Sequence, residues 1–144
     1  MLTNREKVLK IMCEDDFLMF TKYIFKENNR REFMVANHHR LIAEKLHEVV
    51  EGKCKRLIIN IAPRYGKTEL VVKSFIAWCL AKNQQSKFIH LSYSDDLALD
   101  NSSQTKEYVE SESFQKFWPC KLKNDQKGKK KWFNELGGGV YATA

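Results

Sequence analysis

No C-x-x-C pair occurs in this chain. Its four cysteines, Cys13, Cys54, Cys79 and Cys120, lie far apart, which argues against a zinc site or a disulfide framework and for a reducing compartment. No apolar run is long enough to cross a bilayer, and the N-terminus, Met1-Leu2-Thr3-Asn4-Arg5-Glu6-Lys7, has no apolar signal core. The expectation is a cytoplasmic protein that does not enter a membrane. No internal repeat is visible, and carboxylates are scarce where a catalytic nucleotide site needs them. Among the expected strands, only the one before Asp95-Asp96 leads into acidic residues.

What is present suits one globular domain or part of one: 144 residues, 43% of them hydrophobic. A net charge of +7 permits contact with nucleic acid without requiring it. Residues 1–54 read as a helical lead-in. Thr3 and Glu6 have capping-box spacing, Asp15 or Asp16 is placed to cap a second helix, and Asn37 to cap a third that ends at Glu51-Gly52. The aliphatic run at 55–61 predicts a strand buried on both faces. A helix follows Lys67, and residues 87–93 predict a second strand, so strand, helix and strand suggest a right-handed βαβ unit. Another helix opens at Ser94-Asp95-Asp96 and runs on, with or without a break, toward Tyr108 and Val109. After Pro119 the chain turns polar and basic, and residues 131–136 and 140–143 predict two strands joined across Gly137-Gly138-Gly139.

The stretch that organises the chain is 56–70, where Gly66-Lys67-Thr68 sits between an aliphatic run and an amphipathic one. Strand, tight turn and helix start in that order are what a phosphate-binding loop needs. Backbone N–H groups and the helix dipole then face the anion. Gly66 permits close backbone approach, Lys67 reaches the terminal phosphates, and the Thr68 hydroxyl is placed for Mg²⁺. Ile61 stands where the pattern G-x-x-x-x-G-K-[ST] has its first glycine. The plain alternative is an ordinary strand-to-helix connection. It is disfavoured because a lysine in a first helical turn opposes the dipole unless an anion is present.

Other candidates carry competing readings. Arg64 is either a bidentate phosphate contact or a surface arginine. One of Asp95 and Asp96 would be the Walker B acid or, the favoured reading, both are helix-capping residues after Ser94. His38-His39 is a poor metal pair, because adjacent helical residues point about 100° apart. One of the two could instead meet an adenine edge, though as residues alone they read as polar first-turn positions. The lysines at 127–131, beside Trp132 and Phe133, read as a solvated turn or a nucleic-acid surface.

Taken together, Asn37-His38-His39-Arg40-Leu41-Ile42, Pro63-Arg64-Tyr65-Gly66-Lys67-Thr68-Glu69, Ser92-Tyr93-Ser94-Asp95-Asp96-Leu97-Ala98 and Gly137-Gly138-Gly139-Val140-Tyr141-Ala142-Thr143 resemble the large terminase subunit of tailed phages. The resemblance runs from about residue 15 onward. Its most specific part is the Pro-Arg-x-Gly-Lys-Thr-Glu loop, a Walker A variant that lacks the first glycine. It implies an ATP-driven DNA-packaging motor joined to a nuclease, with double-stranded DNA, a small terminase subunit and a portal as partners and a homo-oligomer in the full-length protein. It further implies that Arg64, Tyr65, Gly66, Lys67, Thr68 and Glu69 hold ATP and Mg²⁺, with Arg64 and Lys67 in catalytic roles. His39, or less readily His38, falls where relatives place an adenine-reading residue.

The expected fold is therefore α/β, a P-loop NTPase of motor type, with residues 1–54 as a helical segment and 55–144 as the first half of the ATPase domain. The Walker B acids, the coupling motif and the nuclease of relatives have no counterpart in the sequence. The expectation is a chain that binds ATP and hydrolyses it poorly alone. The alternatives are a non-catalytic nucleic-acid-binding remnant and an inactive gene fragment.

Overall fold

A computed structural model describes all 144 residues as an α/β chain that divides into two compact units, Met1–Trp78 and Cys79–Ala144. The division falls inside a helix, so the three lead-in helices and the 62–69 loop belong to the same unit.

In the first unit, local capping chemistry sets the helix boundaries. Thr3 caps α1 (Asn4–Asp15) through a reciprocal box. Its hydroxyl accepts the Glu6 N–H at 3.2 Å, and its own N–H reaches the Glu6 carboxylate at 2.9 Å. Asp16 ends α1 and caps α2 (Phe17–Asn29), its carboxylate accepting from Leu18 and Met19. α3 (Asn37–Val50) is capped by Ala36, one residue earlier than Asn37, and ends before Gly52 at φ +76°. α2 packs against α1, α3 and the helical turn after the loop. Phe17, Phe20, Ile24, Leu70 and Trp78 are fully buried, each contributing about 1.5–3 kcal/mol of apolar burial. The Trp78 indole donates to the Cys13 carbonyl at 3.0 Å, so this core has no orphaned indole N–H.

Residues 55–61 are the main departure from the sequence-based expectation. They form no strand, and Ile58 is 86% exposed. An aliphatic run becomes a strand only when a neighbour takes its N–H and C=O groups, and the sheet of this chain has no such neighbour for it. The predicted βαβ unit through residues 55–61 is therefore not formed.

Helical backbone starts at Lys67 and includes a π-helical turn, Glu69–Ser74, before α4 (Phe75–Lys82), which runs into the second unit. That unit holds a four-stranded mixed sheet: β1 (Lys87–Leu91), β2 (Leu122–Lys127), β3 (Lys131–Asn134) and β4 (Gly139–Thr143), in the order β1-β4-β3-β2. β1 and β4 are parallel, whereas β4, β3 and β2 run antiparallel in turn. The parallel crossover joins β1 to β4 and passes through α5 (Asp95–Glu110) and α6 (Glu112–Phe117). Register puts Phe88 beside Val140 and His90 beside Ala142 on the face that α5 covers. There the Trp132 indole donates to the Ser102 hydroxyl at 3.0 Å, and the Asn101 amide meets His90 at 3.4 Å. Ile89 and Leu91 point the other way and stay exposed, at 75% and 67%.

The glycine run is required by close packing. A Cβ on Gly138 would overlap the Gln84 carbonyl oxygen, and one on Gly139 would overlap that of Trp132. Asn134, 1% exposed, fastens the same corner. Its amide donates to Gln84, and its carbonyl accepts from Leu136 and Gly138.

Candidate functional site

The site residues read from the sequence meet at 62–69 and at the start of α3. Pro63 and Arg64 form a turn in which Arg64 takes φ +68°, and Gly66 follows at +81°. A left-handed residue other than glycine costs about 1–2 kcal/mol, and such outliers gather at ligand clamps and switch regions. Arg64, Tyr65, Lys67 and Thr68 are exposed. The first backbone bond of the new helix runs from Leu70 N–H to the Gly66 carbonyl, at 3.0 Å. The N–H groups of Lys67, Thr68 and Glu69 therefore precede the first N–H that donates within the helix, at the end whose dipole favours an anion. Thr68 makes no side-chain capping bond, so its hydroxyl projects from the first turn without that tie. Glu69 is turned inward, with Lys73 Nζ 3.2 Å from its carboxylate and both side chains less than a fifth exposed.

The two histidines approach the loop from α3. His39 is 7% exposed, and His38 is half-buried. His39 Nδ1 accepts the Ala36 N–H at 3.0 Å, the helix-start half of a capping box that Ala36 cannot complete with a side chain of its own. Because Nδ1 is an acceptor, the proton of the neutral ring sits on Nε2, which donates to the Tyr65 carbonyl at 2.9 Å. His38 Nε2 lies 3.2 Å from the same oxygen. The imidazole of His39 packs on the Phe33 ring, with centroids 5.1 Å apart, and a Cβ on Gly66 would lie 3.1 Å from its Nε2. A groove of about 270 Å³ lies beside these residues, between His38, Leu41, Ile42 and Lys45 of α3 and residues 57–61.

Compared with protein-family models, curated proteins and solved structures, the chain matches none. The family resemblance therefore rests on the motifs alone.

The remaining candidates lie in the second unit. Ser94 caps α5 by accepting the Leu97 N–H, Asp95 and Asp96 occupy its first turn, and Asp95 accepts the Ala144 N–H at 3.0 Å. The helix starts where the sequence places it, but the cap is Ser94 itself, and the two acids expected to cap it stand in the first turn. The lysines at 127, 129, 130 and 131 are exposed around the β2–β3 turn, where Lys106 donates to the Lys127 carbonyl. No group of three or more His, Cys, Asp or Glu side chains is placed to hold a metal ion. Sequence reasoning missed the Lys73 partner of Glu69, the Phe33 seat beneath His39 and the π-helical turn. Spacing of four between Glu69 and Lys73 could have suggested the first. Nothing local signals the other two.

Proposed function

We propose that residues 62–69 are the phosphate-binding loop of a nucleotide site, and that the chain belongs to the ATPase part of a large terminase subunit, a P-loop NTPase of motor type. The observation that carries this reading is the pair of left-handed residues, Arg64 and Gly66, directly before a helix start where Lys67 and Thr68 are exposed and the first intrahelical bond is made by the Leu70 N–H. Arg64 is the strained member of the pair, and its exposed side chain gains nothing from core packing in return. Turns with left-handed residues before a helix start are the kind of backbone in which successive N–H groups can form an anion-binding nest.

The donor set fits Mg·ATP. Lys67 and Arg64 supply charge for phosphate oxygens. Thr68 offers one hydroxyl to Mg²⁺, an ion that keeps most of its waters and takes few protein ligands beside the phosphates. Bound nucleotide would supply the phosphoanhydride that drives a motor, while these residues orient and neutralise it. Binding with slow turnover is the activity assigned to this chain alone, because Asp95 and Asp96 serve as helix-start residues. Double-stranded DNA, a small terminase subunit, a portal and further copies of the large subunit follow from the same resemblance, and a place in the cytoplasm is in keeping with it.

A second reading, a nucleic-acid-binding remnant, draws on the exposed lysines of the β2–β3 turn. Titration of the intact chain with labelled Mg·ATP and with duplex DNA over a range of salt separates the two. ATP binding lost in Lys67→Ala supports the nucleotide site. Steeply salt-dependent DNA binding indifferent to Lys67, without ATP binding, supports the alternative.

A further inference from the structure

The geometry points to His39 as a positioning residue: it holds the Tyr65 carbonyl so that the Gly66 N–H faces away from α3, toward the phosphate locus. This inference rests on the phosphate-loop reading above and assigns His39 a role other than adenine recognition.

The peptide between Tyr65 and Gly66 is planar and trans, so its C=O and N–H point in opposite directions. Fixing one fixes the other. The carbonyl is held by His39 Nε2 at 2.9 Å, with His38 Nε2 at 3.2 Å as a second, more exposed donor. His39 is itself immobilised. Its Nδ1 accepts from Ala36, its ring rests on Phe33, and only 7% of its surface meets solvent. Both ring nitrogens are therefore engaged by this chain, and none remains for the edge of a base. Without His39, this peptide, which lies between the left-handed Arg64 and Gly66, is held by the more exposed His38 alone and rotates more readily. The Gly66 N–H then loses its fixed direction, and a bound polyphosphate must pay for ordering it. The loss falls on the phosphates, so it is blind to the base.

Three variants of the full chain test this. His39→Phe keeps a ring against Phe33 and removes both nitrogens, His39→Gln retains an amide donor near the Nε2 position, and His38→Ala removes the outer donor. Each is first compared with wild type by thermal unfolding. In the free wild-type protein, ring ¹⁵N spectra should show His39 as the Nε2–H tautomer. The Gly66 amide resonance should be sharp, broadening in His39→Phe and sharpening again in His39→Gln. Titration with Mg·ATP, Mg·GTP and inorganic tripolyphosphate should show the same loss for all three in His39→Phe. That loss should be about tenfold, or about 1.4 kcal/mol, with most of it restored in His39→Gln and a smaller loss in His38→Ala.

A loss confined to ATP makes His39 a base reader and overturns the inference. So does an Nδ1–H tautomer, an unbroadened Gly66 in His39→Phe, or a larger loss from His38→Ala. If wild type binds none of the three ligands, the phosphate-loop reading falls, and the tautomer and Gly66 line shape still decide whether the clamp exists.

Discussion

Replacing Gly66 by alanine separates two costs that the structure places on one residue. The first is conformational, since φ +81° lies in the left-handed region and costs an L-residue about 1–2 kcal/mol. The second is steric. The new methyl would sit 3.1 Å from His39 Nε2, and His39 is pinned by two hydrogen bonds and an aromatic neighbour. Moving it by a few tenths of an ångström adds about 0.5–1 kcal/mol. Gly52, at φ +76° and with open space within 4 Å of where a Cβ would stand, carries the first cost without the second. Urea unfolding followed by circular dichroism should therefore place Gly52→Ala about 1–2 kcal/mol below wild type, and Gly66→Ala about 0.5–1 kcal/mol lower still. In a His39→Ala background the steric part disappears, and the two glycine substitutions should cost the same. Equal costs in the wild-type background, or a Gly66→Ala protein as stable as wild type, would refute the packing of His39 on the loop.

Three further outcomes follow from buried groups. Ser74 is fully buried, and its hydroxyl has no partner. Ser74→Ala should be neutral or stabilising by about 1 kcal/mol, and clear destabilisation by thermal unfolding would contradict this. Asn134 satisfies a buried corner with both ends of its amide. Asn134→Ala should cost about 2–4 kcal/mol, and a loss below about 1 kcal/mol would mean the corner is held by other contacts. Burial pushes the Cys13 and Cys79 thiols up to about 12, from an ordinary value of 9.0. As pH rises from about 9 toward 12, the unfolded chain gives up these protons while the folded chain keeps them, so stability should fall across that window. A pH-unfolding series in reducing buffer checks the sign, and Cys13→Ala with Cys79→Ala should flatten the slope.

Helix starts were legible because their chemistry is local. Thr3 with Glu6, Asp16, and Ser94 each cap the helix that spacing assigns to them. The start of α3 misled by one residue. Asn37 offers the usual capping side chain, yet His39 satisfies the Ala36 N–H from inside the helix. Residues 55–61 show the limit of pattern reading for strands. Apolar character reports a preference for burial, whereas a ladder depends on a partner that no local signal specifies. β2 was missed for the opposite reason. It is an edge strand rich in lysine and other polar residues, so it lacks the hydrophobic alternation that announces a strand. At the site, the motif placed Gly66, Lys67 and Thr68 on a helix start. The contact that fixes the loop spans 26 positions, from His39 to Tyr65, and only the fold brings those two together.

If residues 62–69 are a phosphate-binding loop, an anion binds at the backbone of residues 64–69. The most direct measurement is an amide ¹H–¹⁵N titration of the intact chain with Mg·ATP and with inorganic tripolyphosphate. Saturable shifts should be led by Gly66, Lys67, Thr68 and Glu69, the same residues for both ligands, and be abolished by Lys67→Ala. Shifts centred on the lysines at 127–131, or no saturable shift at the loop, would contradict it.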